Sequence, residues 1–225
     1  MKPLASILLL PTLALGLVAC GDAPVEVASD APYPASQADV LSIAPRWQGR
    51  YLATGDTSQA LLLQAQVLLH QHWHSWTFTK HALDSLGVPQ QPGATYWRGQ
   101  RYRLQALASD SLRLSWQEQD TLWQAGAQQP ARLRYYQGSY YLSVPNPVQP
   151  NRWQVQRLLT VGSRLAWQEL LPDTLRFRAL DAGAVALQRT PSRVQLTLHL
   201  PGRRAQRQLS QYAGLWRPLG QYQRH

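Results

Sequence analysis

Cysteine is nearly absent from this 225-residue chain; the one present is Cys20. A single cysteine excludes an intrachain disulfide. Phenylalanine and methionine are scarce, at two and one, so tryptophan (nine) and tyrosine (ten) carry the aromatic content. Acids are few as well, 12 Asp and Glu against 22 Lys and Arg. Also missing are a G-x-S-x-G elbow, a Walker loop, a G-x-G-x-x-G turn, an H-E-x-x-H pair and an EF-hand loop. Without such a constellation no enzyme is expected.

What is there begins at the N-terminus, MKPLASILLLPTLALGLVAC. Lys2 precedes an apolar run from Leu4 to Ala19. Pro11 interrupts it, and it is shorter than the roughly 20 residues a spanning helix needs. A charged start followed by such a run is the layout of an export signal. The run ends Leu17-Val18-Ala19-Cys20, which resembles the lipobox of bacterial lipoproteins, with Val18 bulkier than the commonest residue at its place. The resemblance implies a signal peptide over 1–19, cleavage before Cys20, and a diacylglyceryl group on its thiol. It implies a lipid-anchored cell-envelope protein at the outer membrane, in the periplasmic setting. Each buried methylene contributes about 0.8 kcal/mol, so two or three acyl chains anchor firmly. A modified Cys20 leaves no thiol for chemistry elsewhere.

Residues 20–45 follow as GDAPVEVASDAPYPASQADVLSIAP after the cysteine. Rich in Ala, Pro and Ser and without a periodic apolar face, this stretch reads as a flexible tether; the alternative is an edge strand over Asp39 to Ile43. It holds four acids and no Lys or Arg. The body, 46–225, holds 20 Arg and one Lys against eight acids, a net +13. Export and the lack of a nucleic-acid motif turn so basic a body away from nucleic acid. Anionic glycan, lipid headgroups or other envelope proteins are the partners it suits, because the arginine fork binds phosphate and carboxylate bidentately. The arginines are spread along the chain, which also fits an ordinary solvated surface.

Alternation dominates the body. In RYRLQAL, Tyr102, Leu104 and Ala106 oppose Arg101, Arg103 and Gln105; in SLRLSWQ, Leu112, Leu114 and Trp116 oppose Ser111, Arg113 and Ser115. In RVQLTLHL, Val194, Leu196, Leu198 and Leu200 oppose Gln195, Thr197 and His199. A period of two is the mark of half-buried antiparallel strands. The expectation is a mainly β fold, an antiparallel sheet or sheets, sandwich or barrel-like. One short C-terminal helix is expected from Arg203 to Ala213, then a closing strand near Leu219 to Gln223. Gln48-Gly49-Arg50-Tyr51 and Gln137-Gly138-Ser139-Tyr140 are 89 residues apart, as are Asp84-Ser85-Leu86 and Asp173-Thr174-Leu175. A division into two similar halves, 46–128 and 130–225, is therefore open. The run GSYYLSVPN, RWQVQRLL, SRLAWQEL resembles uncharacterised lipoproteins of the Bacteroidota, a likeness that implies no activity.

The densest chemistry lies in VLLHQHWHSWTFTKH. In an extended strand His70, His72 and His74 share a face with Leu68, Trp76 and Phe78, and His81 falls on the other. An H-x-H pair can converge on one Zn or Cu ion, but His70 and His74 are roughly 13 Å apart along a strand. A metal site would need a further ligand such as His199, Glu118 or Glu169. The other readings of the row are a pH-responsive patch and a plain strand face. Carboxylate pairs Glu118 with Asp120, or Glu169 with Asp173, would serve glycoside hydrolysis only if they converge. Trp73, Trp76, Trp97, Trp116, Trp123, Trp153 and Trp167 are core or line a groove. The functional expectation is a non-catalytic binding or interaction module with an Arg-rich surface. The alternatives are an apolar-ligand β-barrel, or a metal-binding lipoprotein using His70, His72 and His74.

Overall fold

The computed structural model describes residues 25–90, 93–108, 110–126, 130–190, 193–200 and 202–225. Cys20 and the rest of the expected lipobox lie outside them.

The alternating segments form strands. A meander of β2 (Gly49–Ala53), β3 (Asp56–Gln64) and β4 (Val67–Thr79) continues through β5 (Gly93–Trp97), β6 (Gln100–Ala108) and β7 (Ser111–Gln124). Next come β8 (Arg132–Tyr136), β9 (Ser139–Pro145), β10 (Trp153–Val161) and β11 (Arg164–Leu170). The chain closes with β12 (Val185–Thr190), β13 (Arg193–Leu198) and β14 (Trp216–Arg224). With β1 (Val25–Ser29) they make one sheet of 14 strands, ordered β12-β13-β1-β10-β11-β14-β2-β3-β4-β7-β6-β5, and β9 carries β8 on the side of β10. Pairing is antiparallel except between β1 and β13. The fold is therefore mainly β and mostly antiparallel, as the period of two requires. Gln137 and Gly138, both at positive φ, make the tight turn from β8 to β9.

Three apolar clusters hold the sheet. In the largest, Tyr51, Leu61, Leu63, Leu68 and Trp123 pack against Leu133, Tyr140, Leu142, Leu158, Leu165 and Tyr222. The sheet thus curls until β2, β3, β4 and β7 face β8 to β11. A second cluster joins Tyr33, Tyr141, Phe177, Leu198, Leu209 and Trp216. A third, smaller one joins Leu83, Val88, Tyr102, Leu104, Leu112, Leu114 and Trp116 under the outer wing β4-β7-β6-β5.

Three expectations need correction. Residues 25–45 are built into the body rather than forming a flexible tether. β1 pairs with β13 from Val25↔Val194 to Ser29↔Leu198, and Tyr33 and Ile43 are buried. Arg134 donates to the carbonyls of Pro32 and Pro34 and pairs with Asp39 at 2.8 Å. The alternating valines of VEVAS and the tyrosine outweigh the prolines. Asp39 makes a single bridge to Arg134, not an edge strand to Ile43.

Second, the expected C-terminal helix is present as α3 (Arg203–Gln211), but among the described residues two more occur, α1 (Lys80–Ser85) and α2 (Thr174–Leu180). These two are shorter than two turns, too short to display a helical period. Their signals are caps: Thr79 accepts from the Ala82 N–H and Asp173 from the Arg176 N–H. Third, His81 therefore lies in α1 and not on the far face of a strand. α3 stops at Gln211, short of Ala213, and β14 starts at Trp216, earlier than expected.

The order meander, short helix, hairpin occurs as β2-β3-β4-α1-β5-β6 and again as β9-β10-β11-α2-β12-β13. The hairpins attach differently, β6 on β7 but β13 on β1. Tyr51 and Tyr140 open the first strands and share one core, whereas Asp84 lies inside α1 and Asp173 caps α2.

Candidate functional site

The outer wing places chemically different side chains on its two faces, and strand register decides which. On β4, Leu68, His70, His72, His74, Trp76 and Phe78 alternate onto the inner face. Across the ladder to β7 they stand opposite Trp123, Asp120, Glu118, Trp116, Leu114 and Leu112. On the β3 side, Leu63, Leu61 and Gln59 stand opposite Leu68, His70 and His72. Leu68 and Trp123 belong to the largest core, and Leu112, Leu114 and Trp116 to the smallest. The histidines and the two acids thus form a polar saddle between two cores.

In the saddle, His74 Nε2 lies 3.0 Å from Glu118 Oε2, and its ring stacks on Trp116 at 4.7 Å. The Trp116 indole N–H donates to Glu118 Oε1 at 3.3 Å. Those hydrogen bonds, the one from Trp116 first, hold the Glu118 carboxyl below its ordinary range. The His72 ring sits 4.0 Å from that of His74. His70 is set deeper, edge-on to Trp167 at 5.4 Å, with its Nε2 buried and without a partner. Burial pushes its imidazole below the usual range, Asp120 opposing and His72 assisting.

The other sequence-selected ligands go elsewhere. His199 pairs with Asp30 at the far side of the sheet, in a contact with its Nδ1. Glu169 pairs with Arg217 at 2.6 Å, and Asp173 caps α2 and holds Arg176 at 3.1 Å. Glu118 and Asp120 share a face, opposite two different histidines. Among the described residues no three His, Cys, Asp or Glu side chains are arranged to hold a metal ion. A two-histidine, one-carboxylate set would have to come from His72, His74 and Glu118, with His74 turned off Trp116.

His70 offers a test of the saddle. A neutral form favoured by the fold means that the unfolded chain takes up its proton first as pH falls. Stability should therefore drop as pH passes down through the ordinary histidine range towards the lowered His70 value. Glu118 and Asp56, whose carboxyls are held low, lose their contribution only at more acidic pH. Urea unfolding between neutrality and the carboxylate range should show a shallower acid decline in His70→Gln than in the wild type.

The outer face differs. Gln71, Trp73, Ser75 and Thr77 of β4 lie beside Arg113, Ser115, Gln117 and Gln119 of β7, then Arg101, Arg103 and Gln105 of β6. Tyr96 of β5 stands opposite Arg101. Trp73 is 39% exposed and Tyr96 66%. No Asp or Glu shares this face, and Arg101, Arg103 and Arg113 make no ion pair among the described residues. A groove of about 450 Å³ runs over Trp73, Arg101, Arg103, Ser115 and Gln117. Along the sequence these arginines are scattered; the β6–β7 register, Arg103↔Ser115 and Gln105↔Arg113, gathers them.

The tryptophans divide. Trp47, Trp123 and Trp216 fill cores, Trp116 floors the saddle, and Trp73 and Trp76 are exposed. Among the described residues no helix is long and apolar enough to cross a membrane. No protein-family model matches this chain, and neither the curated proteins nor the solved structures contain a match to it.

Proposed function

We propose that this is a lipid-anchored cell-envelope protein, held by Cys20, whose outer wing face binds a chain of acidic sugars without catalysis. The observation that carries the glycan reading is the acid-free face bearing Arg101, Arg103 and Arg113, without an ion pair among the described residues, beside exposed Trp73 and Tyr96. Unpaired guanidinium groups suit carboxylates and sulfates. An aromatic ring with one wet side is a platform for the C–H face of a sugar. Gln71, Gln117, Ser75 and Ser115 supply donors and acceptors for hydroxyls. Trp73 and Tyr96 are three strand spacings apart, roughly 14 Å, a span of several sugar units. The largest core is filled by Trp47 and Trp123, which favours this reading over an apolar-ligand barrel.

Titration of the chain from position 20, with Cys20→Ser, against polygalacturonate and neutral dextran tests it. Polygalacturonate should bind and dextran should not. At about 1 kcal/mol per arginine, Arg101→Gln/Arg103→Gln/Arg113→Gln should weaken binding roughly a hundredfold. Added salt should weaken the wild type likewise. Equal binding of dextran, or a triple variant that binds as well as the wild type, would reject the glycan site. Lipidation is tested apart, by an acyl label expected on the full-length protein and absent from Cys20→Ser.

A further inference from the structure

We infer that the face made by α2 and α3 docks onto an anionic bilayer. It deepens the lipid-anchor reading and rests on it for orientation only.

Between the two helices runs a groove of about 580 Å³ floored by Leu175, Ala179, Leu180 and Tyr212. Leu175 is 78% exposed and Tyr212 44%, so apolar surface faces solvent here. The helices themselves carry Arg176, Arg178, Arg203, Arg204 and Arg207 and no acid. Arg204 shares a helical face with Gln208 and Gln211, which line the groove, and Arg207 lies one turn before Gln211. Arg178, Arg203, Arg204 and Arg207 make no ion pair among the described residues. The flanking acids are engaged: Asp173 by Arg176, Asp181 by the Gly183 N–H. Exposed Leu and Tyr framed by arginine match the apolar and phosphate layers of an anionic membrane surface.

The course of the chain brings this face to the membrane. Val25, the first residue of β1, borders a cleft shared with Pro172, and Pro172 directly precedes the α2 cap. Five residue steps lie between Cys20 and Val25, a reach of at most roughly 18 Å. A lipid on Cys20 therefore keeps the α2 end close to the bilayer, where its arginines and Leu175 find headgroups and acyl chains.

The test uses the chain from position 20 with Cys20→Ser, which keeps every described residue and carries no lipid. It is sedimented with phosphatidylcholine vesicles, with and without phosphatidylglycerol. Association with the phosphatidylglycerol vesicles alone is expected. A basic residue near such a surface is worth roughly a factor of five, so Arg204→Glu/Arg207→Glu should weaken association at least thirtyfold. Leu175→Asp, at an exposed site, should weaken it too. The docking face is overturned if anionic vesicles do not bind, or if binding survives both variants. Loss of binding on Arg101→Gln/Arg103→Gln/Arg113→Gln instead would also overturn it. So would soluble glycerophosphoglycerol binding as tightly as the vesicles, since the site would then be a headgroup pocket. A failure of lipidation would leave all these outcomes untouched and would show only in the acyl label.

Discussion

Between pH 10 and pH 12 the protein is expected to lose about 2 kcal/mol of stability per pH unit from Tyr33 and Tyr222 alone. Burial raises the Tyr222 phenol to about 12 and drives that of Tyr33 further still. In the unfolded chain both ionise from their ordinary value of 10.0. The stability tied to the neutral phenols is therefore complete below pH 10 and is lost as pH rises towards the folded values. Each such group costs at most about 1.4 kcal/mol per unit. Tyr51, Tyr140 and Tyr141 are shifted upwards by the same cause and add to the fall. Against a typical total of about 5–15 kcal/mol, two units of pH remove a large share of the domain's stability.

The phenols are fixed in place, so relaxation cannot easily spare them. Tyr33 donates to the Gln206 carbonyl at 2.5 Å and Tyr51 to the Trp47 carbonyl at 2.9 Å. The Tyr222 ring covers Gly220 so closely that a Cβ there would lie 2.7 Å from it. Urea unfolding across this range, with tyrosinate absorbance followed in parallel, measures the effect. Five of the ten tyrosines should ionise late, together with unfolding. Tyr222→Phe should remove about 1 kcal/mol per unit from the slope. A folded protein whose tyrosines all titrate near pH 10 would contradict the expectation.

The period of two made the strands legible because a half-buried antiparallel strand can hide only alternate residues. Tyr102, Leu104, Leu112, Leu114 and Trp116 are buried as their spacing requires. Gln195 breaks the pattern: placed on the polar face by alternation, it is 4% exposed and bonded to Gln149. Strand β13 lies between β1 and β12, and pairing partners on both sides leave no edge from which to read its burial. β1 was hidden in a Pro- and Ala-rich stretch because five residues hold too little periodicity, and its partner is some 170 residues away. The histidine row was visible from spacing, but its character was not. Whether His70, His72 and His74 meet metal ligands, acids or apolar residues depends on β7, whose bulge sets Asp120 and Glu118 against them. The arginines of the outer face were legible as residues and illegible as a surface for the same reason.

Truncating Arg157 should cost about 3–5 kcal/mol for Arg157→Ala, in the upper range for a buried leucine. Alternation on β10 puts this arginine between the second core and α3, where it is 5% exposed. Its Nε and Nη2 donate to Gln168 Oε1 at 2.9 and 2.6 Å, and Nη1 donates to the Ser210 carbonyl at 2.7 Å. The guanidinium lies 4.4 Å from the Trp216 ring. No carboxylate is among these partners, so a buried cation is solvated by an amide, a carbonyl, a π face and the Tyr141 hydroxyl opposite it. Burial alone would disfavour that charge. The fork ties β10 and β11 to the last turn of α3, beside the bonds from Ser210 to Gln137 and from the Trp216 indole to the Leu209 carbonyl. Arg157→Ala removes the stem packing and leaves Gln168 and the Ser210 carbonyl unsatisfied, each worth about 1–3 kcal/mol. Arg157→Met restores the stem but leaves the same two acceptors without their donor, so its loss should fall short of that of alanine by the stem packing, about 1–2 kcal/mol. The two variants part further in alkali. Arg157 favours the Tyr141 phenolate, so Arg157→Met should push that phenol higher and steepen the alkaline fall. Equal losses for Met and Ala would show that the guanidinium's hydrogen bonds, and not the stem, carry the contribution of Arg157, and an unchanged alkaline slope would separate Tyr141 from the guanidinium.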